Sequence, residues 1–236
     1  MQLSSHLLVL VLLTAVPLWD AWDARRLRRS SEGREASYVA IIVVLWLLAG
    51  WVLWLQPLRT LLTAPHAWLS PAASAALTAV VLAVVLLPVV AAVTNPSTRQ
   101  KVITASSGVA HLLPRTRREM ALFAAVSVTA GVCEELIFRA FLLRYLTAEP
   151  VGLPTLLAVT LAAVAFGVAH LGQGWRGVGT AAAAGLVFTG LYFATGTLLV
   201  PILVHAVIDL RALAFARFVH QASTDSNGPA VRAAAA

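Results

Sequence analysis

Two adjacent glutamates, Glu134 and Glu135, interrupt a long apolar run, and Arg139 follows Glu135 by four residues. His170 closes a second apolar run four residues after Phe166, and His205 and Asp209 stand four apart in a third. Carboxylates beside imidazoles can take a proton from water, relay protons, or ligate a metal. Helical spacing divides the labour. Residues four apart share a face, so Glu135 and Arg139 can neutralise each other. Glu134 is turned about 100° from Glu135 at 3.6 residues per turn, which leaves its charge free for chemistry. On the same spacing Asp209 can accept a hydrogen bond from His205 and fix its tautomer.

The elements that must carry these residues are apolar helices. The chain has 236 residues, of which 60% are hydrophobic and 11% charged, with a mean hydropathy of +0.86. Soluble domains carry about 25% charged residues, so a soluble globule of this size would lack polar surface. An extended disordered chain is excluded by the same numbers. Seven apolar runs, at 3–19, 38–55, 74–93, 120–146, 154–171, 178–193 and 198–218, approach the roughly 20 residues that a bilayer core requires. The fold expected is an all-α polytopic membrane bundle of about seven transmembrane helices. Residues 1–118 form a three-helix region with Arg-rich loops, 119–218 a membrane core, and 219–236 a flexible tail. The connections are too short to hold a separate soluble domain.

A charge at the bilayer centre costs about 2.5–3.5 kcal/mol on insertion scales, so the glutamates, Arg139 and the histidines must face a paired or wet interior. Counting 1.5 Å per residue from the outer loops puts Glu134 about 18 Å deep, His170 about 24 Å deep and His205 only about 10 Å deep. The last value requires its helix to tilt or to begin below the surface.

The net charge is +7, from 17 Lys and Arg against 10 Asp and Glu. In a soluble protein this would suggest nucleic acid, but here the cations mark topology and no nucleic-acid partner is expected. Arg25, Arg26, Arg28, Arg29 and Arg34 fill one connection; Arg99, Lys101, Arg115, Arg117 and Arg118 fill another. The intervening connections are poor in cations. The positive-inside rule places the N-terminus outside and the C-terminus in the cytoplasm. The first run has a rival reading as a secretory signal peptide with Ala21 and Ala24 near a cleavage site, although residues 1–6 carry no Lys or Arg.

In order along three apolar helices, Glu134-Glu135-Leu136-Ile137-Phe138-Arg139 spells EExxxR, Phe166-Gly167-Val168-Ala169-His170 spells FxxxH, and His205-Ala206-Val207-Ile208-Asp209 spells HxxxD. This resembles the CPBP family of intramembrane proteases, also called the type II CAAX prenyl endopeptidase or ABI family. The match covers about 100 residues, 119–218. The resemblance implies a multi-pass protease, placed here in the bacterial cytoplasmic membrane, that hydrolyses a peptide bond of a membrane-associated, C-terminally tagged or lipidated protein. By motif position Glu134 matches the catalytic glutamate and His170 and His205 the catalytic histidines, with Glu135, Arg139 and Phe166 in support. Asp209 takes a place often held by Asn. An ionised carboxylate only accepts hydrogen bonds, so Asp209 would act on an oxyanion through His205 or when protonated. The family has been described both as glutamic and as metallo-endopeptidases. With a divalent metal such as zinc, Glu134, His170 and His205 could supply three ligands and leave one position open. The HExxH helix of common zinc proteases is absent.

Two other functions use the same residues. A proton-coupled transporter could run a relay through Glu134, His170 and His205, but paired broken helices in two similar halves, its expected mark, are not evident. A non-catalytic membrane scaffold would not need all three motifs. Gly172-Gln173-Gly174-Trp175-Arg176-Gly177 is formally GxGxxG, yet it follows an apolar helix and reads as a flexible loop. Cys133 reads as a helix-packing residue, and Trp19, Trp22, Trp54, Trp68 and Trp175 as an interfacial belt.

Overall fold

The computed structural model describes residues 2–30, 32–64 and 67–226. Helices α1 (Gln2–Leu13) and α2 (Ala15–Arg29) run almost continuously. They are followed by α3 (Arg34–Leu55), α4 (Pro71–Thr94), α5 (Pro96–Ser106) and α6 (Arg117–Glu135). α6 continues through a π-helical stretch, Leu136–Leu142, into a last turn, Leu143–Thr147. α7 (Thr155–Val168), α8 (Gly174–Thr195) and α9 (Leu199–Ser226) complete the chain. Among the described residues there is no strand, only an isolated bridge between Thr63 and Thr197.

Six of these helical stretches are long and apolar enough to cross a membrane, and the chain is a multi-pass integral membrane protein. The run at 154–171 forms a shorter helix than its hydropathy suggested. α7 has 14 residues, about 21 Å at 1.5 Å per residue, short of the roughly 30 Å hydrocarbon core. Its last apolar residues go instead into a 3-10 turn, Leu171–Gln173, and α8 starts at Gly174. The GxGxxG segment is therefore a tight turn and a helix start. α9 runs to Ser226, past the tail boundary at 219; residues 227–236 lie outside the described residues.

Two expected loops are helical. The Arg-rich residues 25–29 belong to the end of α2, where cations complement the negative end of the helix dipole. Asn95 starts α5 by accepting from the backbone N–H groups of Ser97 and Thr98, with Pro96 at the first helical position. Thr116 and Glu119 form a reciprocal capping box at the start of α6. Glu119 also pairs with the buried Arg34 of α3 at 3.3 Å, tying the N-terminal region to the core.

The bundle centre is α6. α3 packs on one side and α9 on another, while α7 and α8 pair beside them. The approach of α9 to α6 depends on Gly131: a Cβ there would lie 3.0 Å from both the Ala206 methyl and the Ile202 carbonyl oxygen. Small residues bring membrane helices together where no hydrophobic force distinguishes helix from lipid. α4 touches mainly α5 and α9 and leaves Val80, Val84, Leu87, Val90 and Val93 exposed, as a lipid-facing helix should. Trp22, Trp54, Trp68 and Trp175 are also exposed.

Candidate active site

Glu135 is the last residue of α6 and immediately precedes the π-helical stretch, which the Leu143 N–H closes by reaching back to the Phe138 carbonyl. π-turns are rare and concentrate at functional sites. All seven residues of the stretch are buried, Arg139 among them. Arg139 donates to Glu135 Oε1 at 3.0 Å, and its guanidinium lies 4.2 Å from the Phe166 ring centre and 5.1 Å from that of Phe188. The ion pair expected from the spacing is present and sealed by aromatic faces.

His205 meets this pair from α9. Its Nδ1 lies 2.8 Å from Glu135 Oε1, and its ring stacks on Phe188 at 4.8 Å with an interplanar angle of 16°. An ionised carboxylate can only accept, so Nδ1 carries the proton and Nε2 faces the site. This differs from the expectation that Asp209 holds the ring. Asp209 stands at the other nitrogen, 3.6 Å from Nε2, beyond a direct hydrogen bond. Intrahelical spacing favoured Asp209, but the π-turn and the close approach at Gly131 bring a carboxylate of a different helix to Nδ1.

His170 is placed where α7 gives way to the 3-10 turn. Its Nδ1 lies 2.8 Å from the Phe166 carbonyl. A carbonyl only accepts, so here too Nδ1 is the protonated nitrogen and Nε2 is turned inward. The FxxxH spacing thus has two uses: the Phe166 carbonyl fixes the tautomer, and its ring lies 4.7 Å from the imidazole.

Glu134 lies between the two rings. Its Oε2 is 3.8 Å from Nε2 of His170 and 3.8 Å from Nε2 of His205. It is buried and has no hydrogen-bond partner within the protein. A gap of this size between polar atoms suits a bridging water. The three residues therefore converge although the depth count set His205 too shallow. The count assumed that all helices begin at one plane. The start of α9 is inset: Leu198 is fully buried, its N–H donates to Leu62, and Trp68 and Leu69 hydrogen-bond to Phe193 and Ala194.

Two cavities meet at His170 and Asp209. One, of about 430 Å³, runs past Phe166, Phe188 and His205 toward Thr180 and Arg211. The other, of about 240 Å³, reaches Glu134 between α2, α3 and α6, with Trp19, Asp20, Tyr38 and Leu45 in its wall. Among the described residues no three His, Cys, Asp or Glu side chains are grouped as a metal ion would need.

Phe188 and Asp20 escape a reading of the sequence. Phe188 carries no titratable group and looks like any core aromatic. Asp20 ends the first apolar run and reads as the start of a loop; the charge itself, one residue beyond Trp19, is the only signal.

The family model of type II CAAX prenyl endopeptidases, Rce1-like, matches residues 116–211. That segment contains Glu134, Glu135, Arg139, Phe166, His170, His205 and Asp209. No curated protein matches the chain, and no solved structure does.

Proposed function

The chain belongs, through residues 116–211, to the Rce1-like type II CAAX prenyl endopeptidases, and from that premise we propose that Glu134, His170 and His205 together hydrolyse a peptide bond within the membrane. The observation that carries this assignment is the buried, unpartnered Oε2 of Glu134, 3.8 Å from Nε2 of each histidine. A base with no cation at helical spacing, set between two ring nitrogens of fixed tautomer, is suited to hold and deprotonate one water.

In the reaction, water gives a proton to Glu134 as its oxygen attacks the scissile carbonyl carbon. The His170 Nε2 lone pair accepts the water's other hydrogen and orients it. His205, when doubly protonated, donates Nε2–H to the developing oxyanion, and Glu135 at Nδ1 balances the ring's charge. Asp209 acts through His205. Glu134 then hands its proton to the leaving amine as the C–N bond breaks. One water is consumed; the acid and amine first formed exchange the water's second proton and leave as a carboxylate and an ammonium.

The substrate proposed is a membrane-associated, tagged or lipidated protein, with the chain on either side of the scissile bond occupying the two cavities. Purified protein in liposomes, given a farnesylated CAAX peptide, and membrane peptidomes of cells expressing wild type or Glu134→Gln provide the test. Cleavage products present with wild type and absent with the variant are expected in at least one of the two. Identical profiles in both would remove the protease reading of this site. We expect EDTA and 1,10-phenanthroline to leave cleavage unchanged; loss reversed by added zinc would make Glu134 and the histidines ligands instead.

The orientation proposed puts the Arg-rich ends of α2 and α6 in the cytoplasm. Reporter fusions at Ser30 and Ser106 should score cytoplasmic, and one at Ser70 external. An external score at Ser106 would invert the topology.

A further inference from the structure

We propose that Asp20 of α2 is a positioning residue for His170, so that a helix outside the family-matched segment completes the active site. The inference rests on the assignment of His170 to the reaction.

The turn that carries His170 has an unusual backbone problem. α7 ends at Val168 and a 3-10 turn follows at Leu171–Gln173. Some of its groups are satisfied locally: the His170 N–H reaches the Gly167 carbonyl, and the Gln173 N–H reaches the His170 carbonyl. The Gly172 N–H has no helical acceptor. Irregular backbone at membrane depth is tolerated only where protein supplies the missing partners. Asp20 supplies this one, with Oδ2 accepting from the Gly172 N–H at 2.5 Å. Arg28, two turns further along α2, donates to the Gly172 carbonyl at 3.4 Å. Both backbone polar groups of Gly172 are therefore held by α2.

The seat is steric as well as polar. A Cβ at Gly172 would lie 2.6 Å from the Asp20 carbonyl oxygen and 2.8 Å from the Ala24 methyl. Only glycine lets α2 close onto the turn. Gly172 is two residues from His170, whose ring is also held through its own Nδ1. A tilt of the turn would therefore swing Nε2 away from Glu134. Asp20 also lines the cavity that reaches Glu134 and His170, so its carboxylate lies beside the reacting groups while its hydrogen bond goes to the turn. The Asp20 side-chain oxygen is the acceptor that the Gly172 N–H does not find within its own turn, and a buried N–H left without one is costly.

Supporting residues one step removed from the reacting atoms typically change activity about 10–100-fold. For full-length protein in liposomes, Asp20→Ala should lower kcat about 10–100-fold per folded molecule and leave KM within about threefold. Asp20→Asn keeps a carbonyl acceptor and should return kcat to within about threefold of wild type. Gly172→Ala should reproduce the kcat loss from the other side of the contact. The double variant Asp20→Ala with Gly172→Ala should be little worse than either single, because residues acting as one unit do not add. A merely structural Asp20 would lower the melting temperature or the yield and leave kcat per folded molecule intact, and that result would overturn the proposal. Asp20→Asn as slow as Asp20→Ala would also overturn it, since the acceptor would then not be what matters. If Asp20→Ala does not fold, Gly172→Ala decides: normal kcat there ends the idea. Wild type that cleaves while Asp20→Ala cleaves equally well defeats this inference alone; wild type that cleaves nothing defeats the protease assignment beneath it.

Discussion

Glu134→Gln should yield a folded protein whose cleavage rate is lower by about 10²–10⁴-fold, the usual cost of losing a general base. The substitution keeps the volume and removes the charge. Oε2 has no hydrogen bond within the protein to lose, and the ion pair at Arg139 is made by Glu135, so yield and melting temperature should match wild type. His170→Ala and His205→Ala should be comparably slow, although His205→Ala also removes one of the two donors to Glu135 Oε1, the other being Arg139, and leaves a void against Phe188. If the three residues act on one water, their effects cannot add. Glu134→Gln combined with His170→Ala should be little slower than either alone. Multiplicative losses would mean that the two groups act in separate steps. Near-normal cleavage by well-folded Glu134→Gln would remove Glu134 from the reaction.

The contrast between the two glutamates is legible in the sequence because helical spacing is a local rule. Arg139 is four residues from Glu135 and five from Glu134, and the ion pair follows that rule. The apolar runs are equally legible, since lipid imposes a length and a composition on any helix that crosses it. What sequence cannot supply is contact between helices. The partner of His205 Nδ1 lies 70 positions earlier, and nothing in the HxxxD spacing points to it. Asp20 and Gly172 are 152 positions apart. The inset start of α9 depends on backbone pairing between Leu62 and Leu198, where neither side chain is polar. Spacing within a helix says which residues share a face, but only packing says what that face meets.

Glu135 is where local and long-range demands coincide, and Glu135→Gln should show it. A single oxygen, Oε1, accepts from Arg139 at 3.0 Å and lies 2.8 Å from His205 Nδ1. Glu135 is 0% exposed and Arg139 2%. Removing one partner of a buried pair costs about 3–5 kcal/mol, because the remaining charge stays in a low-dielectric site. In a protein of this size such a loss lowers the melting temperature by on the order of 10 °C. Glu135→Gln should therefore fall in yield and melting temperature, and also in rate. The two losses can be separated. Adding Arg139→Met removes the stranded charge and keeps an elongated side chain over Phe166 and Phe188, so yield and melting should recover. Activity should not. The side-chain amide that replaces the Glu135 carboxylate still offers His205 an acceptor, but an uncharged one, about half as strong. It can no longer balance a protonated ring, and turnover should stay about 10–100-fold below wild type. Recovery of stability and turnover together would reduce Glu135 to a folding residue. Unchanged melting in the single variant would mean that the pair contributes nothing measurable. The expected split, stability restored and rate not, requires one carboxylate to be both the counter-ion that lets Arg139 be buried and the acceptor that aims His205 at the water beside Glu134.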